Sequence, residues 1–316
     1  MNDQPESNTN KPVLSGKKVL RFRSKSVLLL TFFLLLGITI FTGRWYYLRE
    51  SVRQDERRQA ANQLEQDFQK TLELKKSERK HPLDPILQIA YQSIKKMEAT
   101  LVDYTAVLSR RERIGEQAMP PNAMEIKIRN PRKDQAFSIY LKFTEPESTK
   151  GREVIWVAGK NENKIVAHET GLLGLLRVVQ PPDSFVAMVG NRYPVTETGL
   201  LRMMQKLTQY GERDRKHGDC EVEIIEEITV AEVTCTRLRI VHPEKRKPFT
   251  FHIAEIDMDM KRMIPIRLAT WDWPQDGDND QNPVLTEEYI YHNVKLNVGL
   301  SDIDFDPENP DYSYPN

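Results

Sequence analysis

The spacing of apolar residues changes three times along the chain, and each change predicts a different kind of element. Residues 27–41, VLLLTFFLLLGITIF, are apolar almost without a break, and the 18 residues from 26 to 43 carry no charge. Wound as a helix they reach about 27 Å, close to the hydrocarbon thickness of a bilayer. Trp45, Tyr46 and Tyr47 follow, where amphipathic rings favour the lipid–water boundary. Basic residues precede the run, as in a signal peptide, but ITIFTGRWYY offers no small-x-small cleavage site. The expectation is a basic tail over 1–25 and an uncleaved transmembrane signal anchor over 26–47. Five Lys or Arg lie within 15 residues on either side, so positive charge alone sets no direction. The tail is short and the 15 residues before the run carry no acid, which favours a cytoplasmic N-terminus. That implies a single pass through the cytoplasmic membrane, with the C-terminal domain on the periplasmic or outer side.

From 49 to 80 half the residues are charged, 16 of 32, while Ala61, Leu64, Phe68 and Leu72 recur at helical spacing. This predicts a charged helical stalk over 48–80, either a solvated spacer or a short dimerising coil. His81-Pro82 ends it. Asp84-Pro85 predicts a new helix, with Asp84 as N-cap and Pro85 at the first helical position. Leu87, Ala90, Tyr91, Ile94, Met97 and Leu101 share one face of that helix, which must pack on something.

Beyond it the period falls to two. In 136–143, Phe137, Ile139, Leu141 and Phe143 alternate with Ser138, Tyr140 and Lys142. Similar runs predict strands at 101–113, 123–129, 152–158, 163–168, 220–229, 232–242, 249–259, 263–271 and 286–297. The apolar parity switches within 249–260, as a β-bulge or a strand passing between cores would make it. A helix at 198–210, with Leu200, Met203, Met204 and Leu207 on one face, interrupts the strands. The order helix, five strands, helix, five strands predicts an α+β domain over 81–316. Its expected form is a curved, unclosed antiparallel β-barrel or half-barrel with helices on the concave side, preceded by the transmembrane helix and stalk.

Composition removes candidates rather than adding them. Net charge is zero, yet residues 1–80 carry 16 Lys or Arg against 9 Asp or Glu, and 268–316 carry 11 acids against the single base Lys295. Such a domain has no footprint for nucleic acid. The Walker, G-x-G-x-x-G, G-x-S-x-G and H-E-x-x-H signatures are missing, which points away from an enzyme. His217, Cys220, Cys235 and His242 are the best metal candidates. A hairpin turning near Val230-Ala231 would oppose Cys220 to Val241 and Cys235 to Glu226, which separates the ligands and keeps the thiols unbridged. Asp276, Asp278, Asp280 and Glu287 match the acids of a calcium loop, but Gln281 replaces its glycine and the flanks are strands. A solvated acidic hairpin loop is the expectation there, and Asp306-Pro307 reads as a helix start. No metal or cofactor is implied.

The segment GLLGLLRVV, 171–179, stands apart just before the Met-bearing helix. Its glycines would suit a hinged cover over a cavity, and its side chains would equally complete a core. Candidate pocket residues are Phe137, Ile139, Leu141, Trp156, Leu172, Leu175, Met203 and Met204. WVAGKNENKIVAHETG, NRYPVTETGL, IAEIDMDMKRMIPIRLATWDWP and, most specifically, NVGLSDIDFDPENPDY resemble the bacterial "domain of unknown function 1571" family from about residue 85 onward. That family offers no catalytic or binding residue to carry over. In element order the chain is also similar, more distantly, to the outer-membrane lipoprotein-sorting (LolA-like) superfamily. This second resemblance implies an unclosed barrel whose helical lid covers acyl chains. The resulting expectation is a non-enzymatic, membrane-anchored cell-envelope domain that binds a lipid, lipoprotein or other apolar ligand as carrier, sensor or assembly factor. The alternative is a structural or interaction module with a filled core, whose acidic C-terminal surface or stalk recruits an envelope protein.

Overall fold

The computed structural model describes residues 81–170, 176–218, 220–274 and 282–315. The expected tail, anchor and stalk, the GLLGL half of the apolar segment, and most of the acidic loop lie outside the described residues. Among the described residues no helix is long and apolar enough to cross a membrane.

Helix α1 (Asp84–Thr100) is capped by Leu83 rather than by Asp84. The Asp84 carboxylate instead turns back to accept the His81 N–H at 2.9 Å and pairs with Arg215 at 2.7 Å. Its apolar face, Ile86, Leu87, Ala90, Ile94 and Met97, is buried as the periodicity requires.

Among the described residues twelve strands form one antiparallel sheet. They are β1 (Asp103–Ile114), β2 (Gln117–Ala118), β3 (Asn122–Arg129), β4 (Ser138–Glu145), β5 (Glu153–Val157) and β6 (Ile165–His168), then β7 (Arg177–Gln180), β8 (Glu221–Val230), β9 (Val233–Val241), β10 (Ile253–Asp259), β11 (Ile264–Asp272) and β12 (Val284–Leu296). The spatial order is β7-β6-β5-β4-β3-β1-β12-β11-β10-β9-β8, with β2 folded back on β1. The first strand therefore pairs with the last in the middle of the sheet, and β7 and β8 remain as separate edges. The sheet is unclosed.

Between those edges the chain runs through α2 (Phe185–Met188) and α3 (Leu200–Asp214). Helix α3 begins two residues later than the periodicity suggested and continues four further, because Gly199 (φ 131) fits against the Tyr104 hydroxyl, which accepts the Leu200 N–H at 2.9 Å. It lies antiparallel to α1, with Arg215 at Asp84 and Gln205 at Glu98. At Gly211 a Cβ would come 3.0 Å from Leu87 Cδ2, so the two helices approach closely only because that side chain is absent.

Alternation divides the strands between two faces. Ile139, Leu141, Phe143 and Trp156 join α1 and α3 in the main apolar cluster, while Tyr140, Ile155, Val157 and Val166 point outward. Phe305 and Tyr314 of the C-terminal segment cover those outward residues. That segment is pinned by Lys127–Asp304 at 2.8 Å, Arg129–Asp302 at 2.7 Å and Arg177–Glu308. Its acids thus neutralise basic residues of the sheet. Its 3-10 turn, Asp302–Phe305, is capped by Ser301 and ends at Asp306, so Asp306-Pro307 closes a turn instead of opening a helix.

Three register expectations change. Ala231 and Glu232, with φ of 46 and 64, make the β8–β9 turn, so Cys235 lies opposite Ile228. An irregularity between Ile225 and Ile228 then sets Val241 opposite Glu221 rather than Cys220. Neither cysteine forms a disulfide. The parity switch in 249–260 arises because Phe249 and Phe251 precede β10, and the bulge lies where Met258 pairs with Pro265 after Asp257 pairs with Arg267. Finally, RVVQ at the end of the apolar segment is the edge strand β7, which alternation over four residues is too short to announce.

Candidate functional site

The helices do not cover the sheet evenly. Over β9 and β10, α1 and α3 leave a void of about 30 Å³ between Leu87, Met204, Leu238 and Ile256. Over β1 and β3 to β6 the described side chains surround a cavity of about 550 Å³. Among the described residues, one side of α3 (Met203, Lys206, Leu207, Tyr210) and the stretch from Leu176 to Gly199 reach across that second region. Its walls are largely apolar: Leu108, Met124, Leu141, Phe143, Val154 and Ile165 rise from the sheet.

The expected pocket residues divide among several places. Leu141 and Met203 line the cavity. Phe137, Ile139 and Trp156 are buried in the main cluster, where the rings of Phe137 and Trp156 meet edge to face at 5.7 Å. Met204 faces the small void beside α1. Leu172 and Leu175 lie outside the described residues, but Glu169 before them and Leu176 after them both line the cavity. Of the described end of GLLGLLRVV, Val178 faces the cavity and Val179 is exposed. Leu176, Val186 and Val189, also exposed, line the cavity beside Val178.

A polar patch interrupts the apolar wall, and neither its residues nor its position was expected. Along β1 the inward positions Tyr104, Ala106 and Leu108 continue into Arg110 and Glu112. A charge at an inward strand position was the available signal. Glu112 lies directly opposite Glu287 of β12, an unfavourable pairing unless it is relieved. The relief comes from neighbours. The Tyr289 hydroxyl donates to Glu112 Oε1 at 2.5 Å, and the Arg192 N–H donates to Glu112 Oε2 at 3.0 Å. The Arg192 guanidinium reaches Glu287 at 3.1 Å, and Thr270 Oγ1 donates to it at 3.3 Å. Burial raises the Glu287 carboxyl above its usual range, with Arg192 opposing the shift. Burial likewise raises Tyr193 and Tyr289, helped by the charge of Glu287. Lys206 sits 3.6 Å over the Tyr193 ring and pairs with Glu197.

The metal candidates do not meet at one point. His242 faces Asp214 at 3.6 Å and stacks on Phe249, while Cys235 stands opposite Ile228. Among the described residues no three His, Cys, Asp or Glu side chains converge as metal ligands.

These features define an unclosed antiparallel half-barrel with an apolar cavity between sheet and helices. The chain belongs to the family described as protein of unknown function (DUF1571), whose model matches residues 101–314. No curated protein matches it. Among solved structures it is similar to a DUF1329 family protein from Desulfovibrio piger, with 11% identity and TM-score 0.36 over 72% of this chain and 98% of that one. A domain from Vibrio parahaemolyticus described as outer membrane lipoprotein-sorting protein gives 11% identity and TM-score 0.33 over 70% and 95%. A LolA superfamily protein from Nitrosomonas europaea gives 9% identity and TM-score 0.28 over 69% and 97%.

Proposed function

We propose that this chain holds a lipid or another apolar ligand between its sheet and helices, as a cell-envelope carrier, sensor or assembly factor tethered through the uncharged run at 26–43. The cavity of about 550 Å³ carries this reading. Interiors pack with few voids larger than a water molecule, and the neighbouring region of the same sheet is packed down to about 30 Å³. The larger volume falls in the range of small-molecule sites, about 300–1,000 Å³. Leu176, Val186 and Val189 present an exposed apolar surface at the cavity, suited to exchange with another apolar surface.

Native mass spectrometry of residues 81–316, purified without detergent and followed by lipid extraction, tests the reading. The expected result is a stoichiometric apolar molecule that is lost in Ala167→Trp, which fills the cavity from β6, while the far-ultraviolet spectrum is unchanged. A ligand-free mass for the natural sequence would favour the filled interaction module instead.

A further inference from the structure

The charges in the cavity wall occur in compensating pairs. Three cations line the cavity: Arg110 lies 3.7 Å from Glu112, Arg152 lies 2.8 Å from Glu169, and Lys206 is paired with Glu197. The fourth lining carboxylate, Glu287, is met from behind the wall by Arg192. These acids come from β1, the end of β6, the turn Val195–Glu197 and β12, so four separate elements converge on neutrality.

A carboxylate or phosphate entering this space would find each lining cation already engaged. It would instead meet Glu112 and Glu287, each only 7% exposed, in surroundings that screen charge poorly. Taking an anion out of water without a counter-charge is strongly unfavourable. Hydroxyl groups face no such barrier: carboxylate oxygens accept from them, and the phenol oxygens of Tyr193, Tyr210 and Tyr289 can also accept.

Resting on the ligand-holding reading above, we infer that the cavity selects an uncharged amphiphile, an apolar chain bearing hydroxyl or ester groups, over the free fatty acid of the same chain. The full-length chain in polymer-bounded bilayer discs is photolabelled with two palmitoyl probes that share a chain-terminal diazirine. One is the monoglyceride and the other the free acid, at a pH where the acid is ionised. Labelled peptides from β4 to β6 report occupancy, normalised to each probe's labelling of the disc lipid. The monoglyceride is expected to exceed the acid by about tenfold or more. Glu197→Gln leaves Lys206 without its carboxylate, so the ratio of acid to monoglyceride labelling is expected to rise several-fold. Equal labelling of the natural sequence by the two probes, or an unmoved ratio in Glu197→Gln, overturns the selectivity and leaves a ligand-holding cavity standing. Absence of cavity labelling by either probe overturns the ligand-holding reading, and the selectivity with it.

Discussion

One half of the sheet is filled and the other is hollow, yet their strands are made alike. On the filled side Leu238, Ile240, Ile256 and Ile266 point into the concave face, and on the hollow side Met124, Ile126, Leu141 and Phe143 do the same. The difference lies in the layer above. Helix α1 and one face of α3 lie on the first group, whereas the second is overhung by the other face of α3 and an irregular stretch. The outer faces differ too. Across β8 to β12 and β1 runs a ladder of cross-strand ion pairs, Glu223–Arg239–Glu255–Arg237–Asp257–Arg267–Glu288–Arg111. Behind β4 to β6 the C-terminal segment supplies a small second core instead. Among the described residues the cavity therefore lies where neither long helix covers the sheet fully, over strands whose apolar wall is broken by Arg110, Glu112 and Glu287.

Matched truncations are the strongest way to break that comparison. Ile256→Ala enlarges the small void beneath α1, where packing is otherwise tight, and is expected to lose about 3–5 kcal/mol of stability in urea unfolding, near the upper end for such changes. Leu141 already borders empty space, so Leu141→Ala removes fewer contacts and is expected to lose only about 1–2 kcal/mol. Equal losses would mean that both halves are equally packed in solution. Next in size is the helix contact that closes the filled half. Gly211→Val places a side chain into Leu87 and is expected to lower stability by about 1–3 kcal/mol, partly restored in a Leu87→Ala background.

The strands were legible because alternation is a local property: 136–143 sorted its own side chains between two faces before any partner was known. The hollow was not legible, because its place depends on where α1 and α3 lie across the sheet, and residues far apart in sequence decide that. Leu141 and Ile139 share the same periodicity and both are buried, yet only Leu141 borders the cavity. Glu112 and Glu287 were readable in principle, as charges on an otherwise apolar strand face. Glu287 fell both in the strand expected at 286–297 and at the end of the calcium-loop pattern, and nothing local to it announced that Glu112 would stand opposite.

The filled half also has a polar floor, which makes a pH test of the comparison. Asp214 and His242, each 1% exposed, face one another at 3.6 Å. Burial raises the Asp214 carboxyl to about 6, against the opposing pull of Arg213, and lowers the His242 ring to about 4. The raised acid contributes stability that is complete below about 3.8 and lost as pH rises through about 6. The lowered imidazole contributes stability that is present above about 6.5 and lost as pH falls through about 4. The two slopes oppose each other over nearly the same window, so the natural sequence is expected to change little there. His242→Phe leaves the Asp214 slope, and stability relative to the natural sequence should rise on acidification. Asp214→Asn leaves the His242 slope, and stability should fall, in either case by up to about 3 kcal/mol across the window. Urea midpoints measured through this range decide it; parallel profiles for the two variants would rule out opposing contributions.

The smallest expected effect separates the two outer faces. Lys127–Asp304 ties the C-terminal segment down behind the hollow half, and both side chains keep some access to water, 29% and 21%. In Asp304→Asn the amide oxygen can still accept the Ser301 N–H that closes the 3-10 turn, so the substitution removes charge and spares the cap. A double-mutant cycle with Lys127→Met is expected to give a coupling of about 0.2–1 kcal/mol, shrinking as salt is added. The corresponding cycle on the ladder, Arg237→Met with Asp257→Asn, should give a larger coupling that salt moves less. There Asp257 is fully buried and receives two bonds from the Arg237 guanidinium, at 2.7 and 3.0 Å. If the two couplings match in size and in salt response, the ladder is as solvated as the strap, and the outer faces of the two halves do not differ in the way their geometry requires.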